Sequence, residues 1–414
     1  MAQLRNVDDA IQQILATITP LAPETITLPD ARGRVLAQDI ESDVNLPPFD
    51  NSAMDGYAIH AEDSQTATQS TPVELDVTMD IPAGVYPTDT LGKGQAARIM
   101  TGAPLPSGAT AVIPVEATDS DFSEQDGATL PETVQLYEAL SAGANIRQAG
   151  ENIRAGQLIL KAGSVIRPQD IGMLAAIGRA DVPVIKRATV VIVGSGDELV
   201  DVTEPLQAGQ IRDVNSYTLA ASVQALGGQA IRLPIAPDTP SAIRQLFTDA
   251  LAHEPDLIIS SAGVSVGAAD YVRTILEEMG AIDFWKINLR PGKPLAYGHI
   301  EGVPFFGLPG NPVSAMITFD VLVRPLLHKL MQQPDTTRMM TAITGEAMRS
   351  DGRRTYARVT LERDGDTLIA TESGTQSSGA LMSMVIADGL LIIPEGMTEV
   401  EAGTRLPVRL LREI

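Results

Sequence analysis

The chain has 414 residues, 44% of them hydrophobic, with 52 acidic and 30 basic side chains and a formal charge of −22. Such a field repels nucleic acid, and the length is enough for about two to four domains. There is no cysteine, which excludes disulfides, thiolate catalysis and Cys-based zinc sites, and the four histidines stand singly, so a bound metal is expected to be a hard cation held by oxygen.

The first residues carry apolar side chains at helical spacing (Ile11, Ile14, Leu15, Ile18) together with Asp8 and Asp9. They predict an amphipathic helix, without the basic n-region and long apolar core expected of a signal peptide. A strand-like segment follows to about residue 45. Residues 46–146 are rich in Pro, Thr and Gly with short β-like runs at Val73–Val77, Ala97–Met100, Thr110–Val115 and Thr133–Leu136, the pattern of a β-rich insertion. Within it, the acidic segment 120–132 reads as an exposed loop. Residues 147–186 resume the apolar texture and are assigned with 1–45 to one discontinuous lobe.

From residue 187 to 333, strands and helices alternate. Strands are expected at Thr189–Val193, Ala230–Ile235, Leu257–Ser260, Trp285–Leu289 and Val303–Leu308. Helices are expected at Ser216–Leu226, Pro240–Ala252, Asp270–Met279 and from Val313 onward. This predicts a parallel α/β sheet with its ligand at the strand C-termini. The helix from Val313 contains Asp320, Arg324 and Pro325, so it cannot span a bilayer. The protein is expected to be soluble and cytoplasmic. Residues 334–414 read as a C-terminal β-domain, with runs at Tyr356–Leu361, Thr367–Thr371, Gly389–Ile393 and Leu406–Leu410.

The chemistry concentrates in three glycine-rich turns: SSAGVSVGAADYV from Ser260, LRPGKP from Leu289 and GLPGNPVSA from Gly307. Glycine lets backbone N–H groups close on an anion where a Cβ would intrude. Arg290 and Lys293 stand in the middle turn of a chain with only six lysines. Asn311 and Ser314 open a helix whose first turn takes Pro312. Together the turns predict a site for a phosphate-bearing ligand or a tetrahedral oxyanion. Carboxylates at successive strand ends, Asp197 and Glu198 in GSGDEL and Asp238 in APDTP, either cap helices or share a cation. Asp270 is likewise either an N-cap or a metal ligand.

FDNSAMDGYA from Phe49, MTGAPLPSGA from Met100, GDEL, DVNS, GVSVGAADY, RPGKP and GLPGNPVSA stand in the order found in the molybdopterin molybdenumtransferases, the bacterial MoeA family, itself similar to the E domain of gephyrin. The chain resembles that family over roughly residues 5–410. The resemblance implies a homodimer of four-domain subunits, with an α/β domain like the molybdopterin-binding fold of the adenylyltransferases. It implies a Mg²⁺-requiring transferase that inserts molybdate into adenylylated molybdopterin and releases AMP, with the adenylyltransferase as a candidate partner and no nucleic-acid or membrane partner.

Carried over by position, Ser265, Arg290, Lys293, Pro294, Ser314, Arg358 and Ser378 surround molybdate. Thr101, Arg147, Gly263, Gly267, Lys286, Pro309, Gly310, Asn311 and Pro312 hold the pterin nucleotide. Asp55, Glu198, Asp238, Asp270 and Lys293 serve catalysis, with Glu198, Asp238 and Asp270 on Mg²⁺. Gln148 and Asn152, in RQAGEN from Arg147, replace residues that are charged in the family's usual pattern. The rival readings are the preceding adenylyltransferase, disfavoured by this chain's length, and a non-catalytic scaffold. Tungstate is nearly isosteric with molybdate and stands as an alternative ion.

Overall fold

The computed structural model describes residues 4–122, 130–261 and 268–413, the side chains of 268–273 and of Trp285 excepted. Most of the acidic segment 120–132 therefore lies outside the described residues. The chain divides into two compact units, one of residues 1–26, 33–37 and 183–414, the other of residues 27–32 and 38–182.

The second unit is built on a five-stranded sheet in the order Ala111–Pro114, Gly56–Ile59, Gln95–Ile99, Val73–Ile81, Thr133–Leu136. Alternate residues of its strands enter two cores: Tyr57, Ile59, Ala96 and Ile113 on one face, Ala58, Ala97, Ile99 and Val112 on the other. Elsewhere in this unit Ile40–Glu41 pairs antiparallel with Leu158–Leu160, bringing distant stretches of sequence side by side.

The first unit centres on a six-stranded sheet in the order Gln229–Arg232, Thr189–Val193, Leu257–Ser260, Val303–Gly307, Pro294–Ile300, Gly280–Lys286. Val190, Ile192, Leu257, Ile259 and Phe306 face a core shared with Val7, Ala10 and Ile14 of the N-terminal helix (Val7–Thr17) and with Leu219 and Val223 of the helix Val214–Ala225. Val191, Val193, Ile258 and Phe305 face the opposite core. Burial on both faces is why these strands read as unbroken β-branched runs. The helix Pro240–Leu251 closes the second core with Ile243, Leu246, Phe247 and Ala250, an i, i+3, i+4, i+7 stripe, and the Thr239 hydroxyl caps it by accepting from the Ala242 N–H at 3.3 Å.

Three expectations are corrected here. The sheet is mixed: Pro294–Ile300 and Gly280–Lys286 run antiparallel to their neighbours, because the reversal at Glu301–Gly302 is a hairpin and not a helical crossover. The expected strand Trp285–Leu289 is two pieces, ending at Lys286 and resuming as Leu289–Arg290. The helix expected from Asp270 begins at Ala268, so Asp270 is inside its first turn and is not its cap.

After the helix Pro312–Thr318 the chain widens into one π-helical stretch, Phe319–Val323, before the helix Arg324–Leu330. That stretch buries Asp320 between Arg324 (2.6 Å) and Arg409 (2.9 Å). The C-terminal strands run in the order Arg354–Asp364, Thr367–Glu372, Met339–Thr344, Arg405–Leu410, Gly389–Ile393, and the last pairs back onto the first. They close a small barrel filled by Val359, Ala370, Leu391 and Val408. Leu289–Arg290 joins this barrel as an added strand, parallel to Arg354–Asp364.

Candidate functional site

In the first unit, the loops after the strands Leu289–Arg290 and Val303–Gly307 and one wall of the C-terminal barrel enclose a cavity of about 330 Å³. Its lining includes Arg290, Lys293, Arg349, Arg353 and Arg358, with Ser314, Asn311 and Ser378. In a chain of charge −22, this concentrates positive potential in one basin.

The turn from Arg290 to Lys293 is shaped by Gly292, whose φ of +119° is a backbone that L side chains rarely adopt. A Cβ there would also lie 2.5 Å from the Thr318 hydroxyl. Ser314 is 4% exposed, on the first turn of the helix Pro312–Thr318. The carbonyl of Ser378 accepts from the Val313 N–H at 3.1 Å, which ties the barrel loop to the start of that helix. The Asn215 side chain donates to the Gly310 carbonyl at 2.8 Å and to the Ser261 carbonyl at 3.5 Å, bracing two of the three turns.

Arg358 is 1% exposed, and burial pushes its guanidinium down from the usual arginine value. Its Nε donates to Ser383 Oγ, and Nη2 donates to the carbonyls of Thr375 and Ser377, each at 3.1 Å. It therefore holds the 375–377 loop, and Ser378 with it, against the cavity. Arg353 leans on Asp351 and donates to the Leu289 carbonyl at 2.8 Å. Its side-chain hydrogen bonds, with its charge behind them, keep the Asp351 carboxyl below the ordinary aspartate value. Among the described residues, Arg290 and Lys293 have no carboxylate at salt-bridge distance.

Of the residues singled out in the sequence, the cavity gathers Arg290, Lys293, Pro294, Pro309, Gly310, Asn311, Ser314, Arg358 and Ser378. Pro312 and Lys286 are not among its lining residues; Lys286 ends its strand in register with Pro294. Ser265, Gly263 and Gly267 lie outside the described residues, as does the Asp270 side chain. Glu198 and Asp238 also fall outside the lining. Asp238 is tied to the first strand's loop through its N–H, which donates to Asp197 Oδ1 at 3.2 Å. The expected convergence of Glu198, Asp238 and Asp270 on one cation involves the Asp270 side chain, which lies outside the described residues; among the described residues there is no cluster of three metal-ligating side chains. One carboxylate oxygen of Asp238 is nonetheless buried without a hydrogen-bond partner.

Asp55, Thr101 and Arg147 belong to the second unit. There Asp55 Oδ1 accepts from the Thr101 N–H at 2.6 Å, and Arg147 pairs across strands with Asn51. The three turns FDNSAMDG, MTGAP and RQAGEN thus form one hydrogen-bonded rim, with Asp50 accepting from the Ala149 N–H at 2.7 Å.

Sequence reasoning passed over Arg349, Arg353, Glu372 and Gln376, all of which line the cavity. The usable signal was the density of arginine between 349 and 358 in an otherwise acidic chain.

Known proteins share this chain's sequence pattern and its fold. The family model of the MoeA N-terminal region (domain I and II) matches residues 5–178. That of a probable molybdopterin binding domain matches 191–329, and that of the MoeA C-terminal region (domain IV) matches 341–411. A protein of Mycobacterium tuberculosis named molybdopterin molybdenumtransferase 2 is 38% identical over 413 residues, covering 98% of this chain and 99% of its own. The molybdopterin molybdenumtransferase of Haemophilus influenzae is 39% identical over 79% of this chain and 78% of its own. A crystal structure of a molybdopterin biosynthesis MoeA protein from Pyrococcus horikoshii superposes with a TM-score of 0.83 at 31% identity, covering 100% of both chains.

Proposed function

This chain belongs to the MoeA family of molybdopterin molybdenumtransferases, whose reaction is the insertion of molybdate into molybdopterin, and from that premise we propose that the cavity between the glycine turns and the C-terminal barrel is where the oxyanion is received. The observation that carries the reading is the gathering of Arg290, Lys293, Arg349, Arg353 and Arg358 around Ser314 and Ser378 in a strongly acidic protein. Molybdate is a tetrahedral dianion that offers only acceptor oxygens. Arg290 and Lys293 supply positive charge that no carboxylate pairs among the described residues, Ser314 a hydroxyl donor, and Arg358 holds the loop that presents Ser378.

The pterin substrate enters this reading as its adenylylated form, with the phosphates directed to the turns at 261–267 and 309–312, whose glycines would let backbone N–H groups donate to phosphate oxygens. Gly263, Gly267 and Ser265 have their proposed role in that turn. Mg²⁺ fits the oxygen donors at the neighbouring strand ends: Asp238 has a buried carboxylate oxygen with no partner, and Glu198 and Asp270 are further candidates. When bound, the ion would neutralise the pyrophosphate and assist release of AMP. The protein is further proposed to act as a cytoplasmic homodimer, with the partner subunit's Asp55, Thr101 and Arg147 completing the substrate cleft.

The test is AMP release from adenylylated molybdopterin, measured with molybdate and with tungstate, in the presence and absence of Mg²⁺. Oxyanion-dependent release that Arg290→Glu abolishes is the expected result. Release indifferent to both oxyanion and Arg290→Glu would remove the cavity from the reaction.

A further inference from the structure

The cationic cavity has one acidic lining residue among those described, Glu372. It is the last residue of the strand Thr367–Glu372, lies opposite Val359 in the barrel and is half-buried. Arg358, next to Val359 on the paired strand, and Arg290, on the glycine turn, line the same cavity and act on its charge, as does Glu346 in the turn after Met339–Thr344. Glu346 uses its carboxylate to accept the backbone N–H of Glu372 at 2.9 Å. Lys293, Arg349 and Arg353 lie elsewhere on the same lining. Among the described residues, no hydrogen bond or salt bridge holds the Glu372 carboxylate itself. Burial pushes its carboxyl up from the usual glutamate value and Glu346 adds to this, against the opposing pull of Arg358 and Arg290.

A dianion with no proton of its own can only accept hydrogen bonds. Beside an ionised carboxylate it meets repulsion; beside a protonated one it meets a donor. We propose that Glu372 sets the oxyanion affinity of this cavity by taking up a proton as molybdate binds, so that the site fills with ion and proton together. The inference rests on the reading of the cavity as the oxyanion site, and it makes Glu372 a residue that tunes both affinity and its pH dependence.

Calorimetric titration of the full-length protein with molybdate, in two buffers of different ionisation enthalpy, reads the proton uptake directly. The wild type is expected to take up a substantial fraction of one proton per molybdate at pH 8, and Glu372→Gln close to none. Glu372→Gln should bind at least threefold more tightly at pH 8, and the two affinities should converge as the pH is lowered toward 5. Glu372→Asp, which keeps a titrating group, should retain uptake. Equal uptake in wild type and Glu372→Gln, or weaker binding in Glu372→Gln with its thermal midpoint preserved, would overturn the assignment. Failure of the wild type to bind molybdate at all would instead overturn the oxyanion site on which it stands.

Discussion

Replacing Arg358 with methionine keeps most of the side-chain volume and deletes three hydrogen bonds, to Ser383 Oγ and to the carbonyls of Thr375 and Ser377, each 3.1 Å long. Charge-assisted bonds contribute about 1.5 kcal/mol each, so the three together stabilise the loop by about 4–5 kcal/mol. Removing the buried charge returns part of that, because its own desolvation disappears, leaving a net loss of about 3 kcal/mol. In a unit of this size each kcal/mol moves the thermal midpoint by about 2–4 °C, which predicts a fall of about 6–12 °C. Differential scanning calorimetry measures the midpoint, and molybdate titration below it measures the site. Affinity should drop at least tenfold, since Ser378 is presented by the loop that Arg358 holds. A midpoint within about 2 °C of wild type would refute the claim that this buried guanidinium organises the loop.

Asp320→Asn leaves the half-buried Arg324 and Arg409 without their shared carboxylate, and chemical denaturation should register a loss of up to about 3 kcal/mol. His328 is buried and its imidazole is pushed down from the ordinary histidine value, chiefly by burial. The unfolded chain therefore binds a proton that the folded chain refuses. Stability present above about pH 6.5 should fall as the pH drops through that value, by up to about 1.4 kcal/mol per unit, until the folded His328 itself protonates. Urea titrations between pH 5 and 8 should find that slope reduced in His328→Leu. Gly292→Ala combines an unfavourable φ with a Cβ only 2.5 Å from Thr318 Oγ1, and should cost about 1–3 kcal/mol in denaturation while weakening molybdate binding through Arg290 and Lys293.

The strands Thr189–Val193 and Leu257–Ser260 were legible to the residue because both faces are buried and every position is apolar or small. Helix Pro240–Leu251 was legible from its cap and its 3–4 spacing. The strand Pro294–Ile300, between Val303–Gly307 and Gly280–Lys286, was not, since Gly298 interrupts its pattern. That glycine is there for close approach: a Cβ would lie 2.0 Å from the Ala281 carbonyl. The glycine turns announced an anion site because backbone geometry leaves a local signature. The opposite wall of the cavity did not, because Arg353, Glu372 and Gln376 are assembled by the closure of a barrel whose first and last strands pair residues 30 to 38 positions apart in the chain. The π-helical widening at Phe319–Val323 also left no mark in the sequence, where apolar residues surround a lone Asp320 as they would in an ordinary buried helix.

The two-residue strand Leu289–Arg290 departs the α/β sheet and hydrogen-bonds with the barrel, donating its backbone to a layer that the chain does not otherwise reach until residue 339. The α/β layer and the barrel are therefore sewn by main chain as well as by side chains. Heating should melt them in a single calorimetric step, and a fragment cut near residue 334 should emerge with an unpaired margin along Arg354–Thr355 and without half of its anion basin. What divides by sequence into separate modules is, for folding, a single indivisible piece.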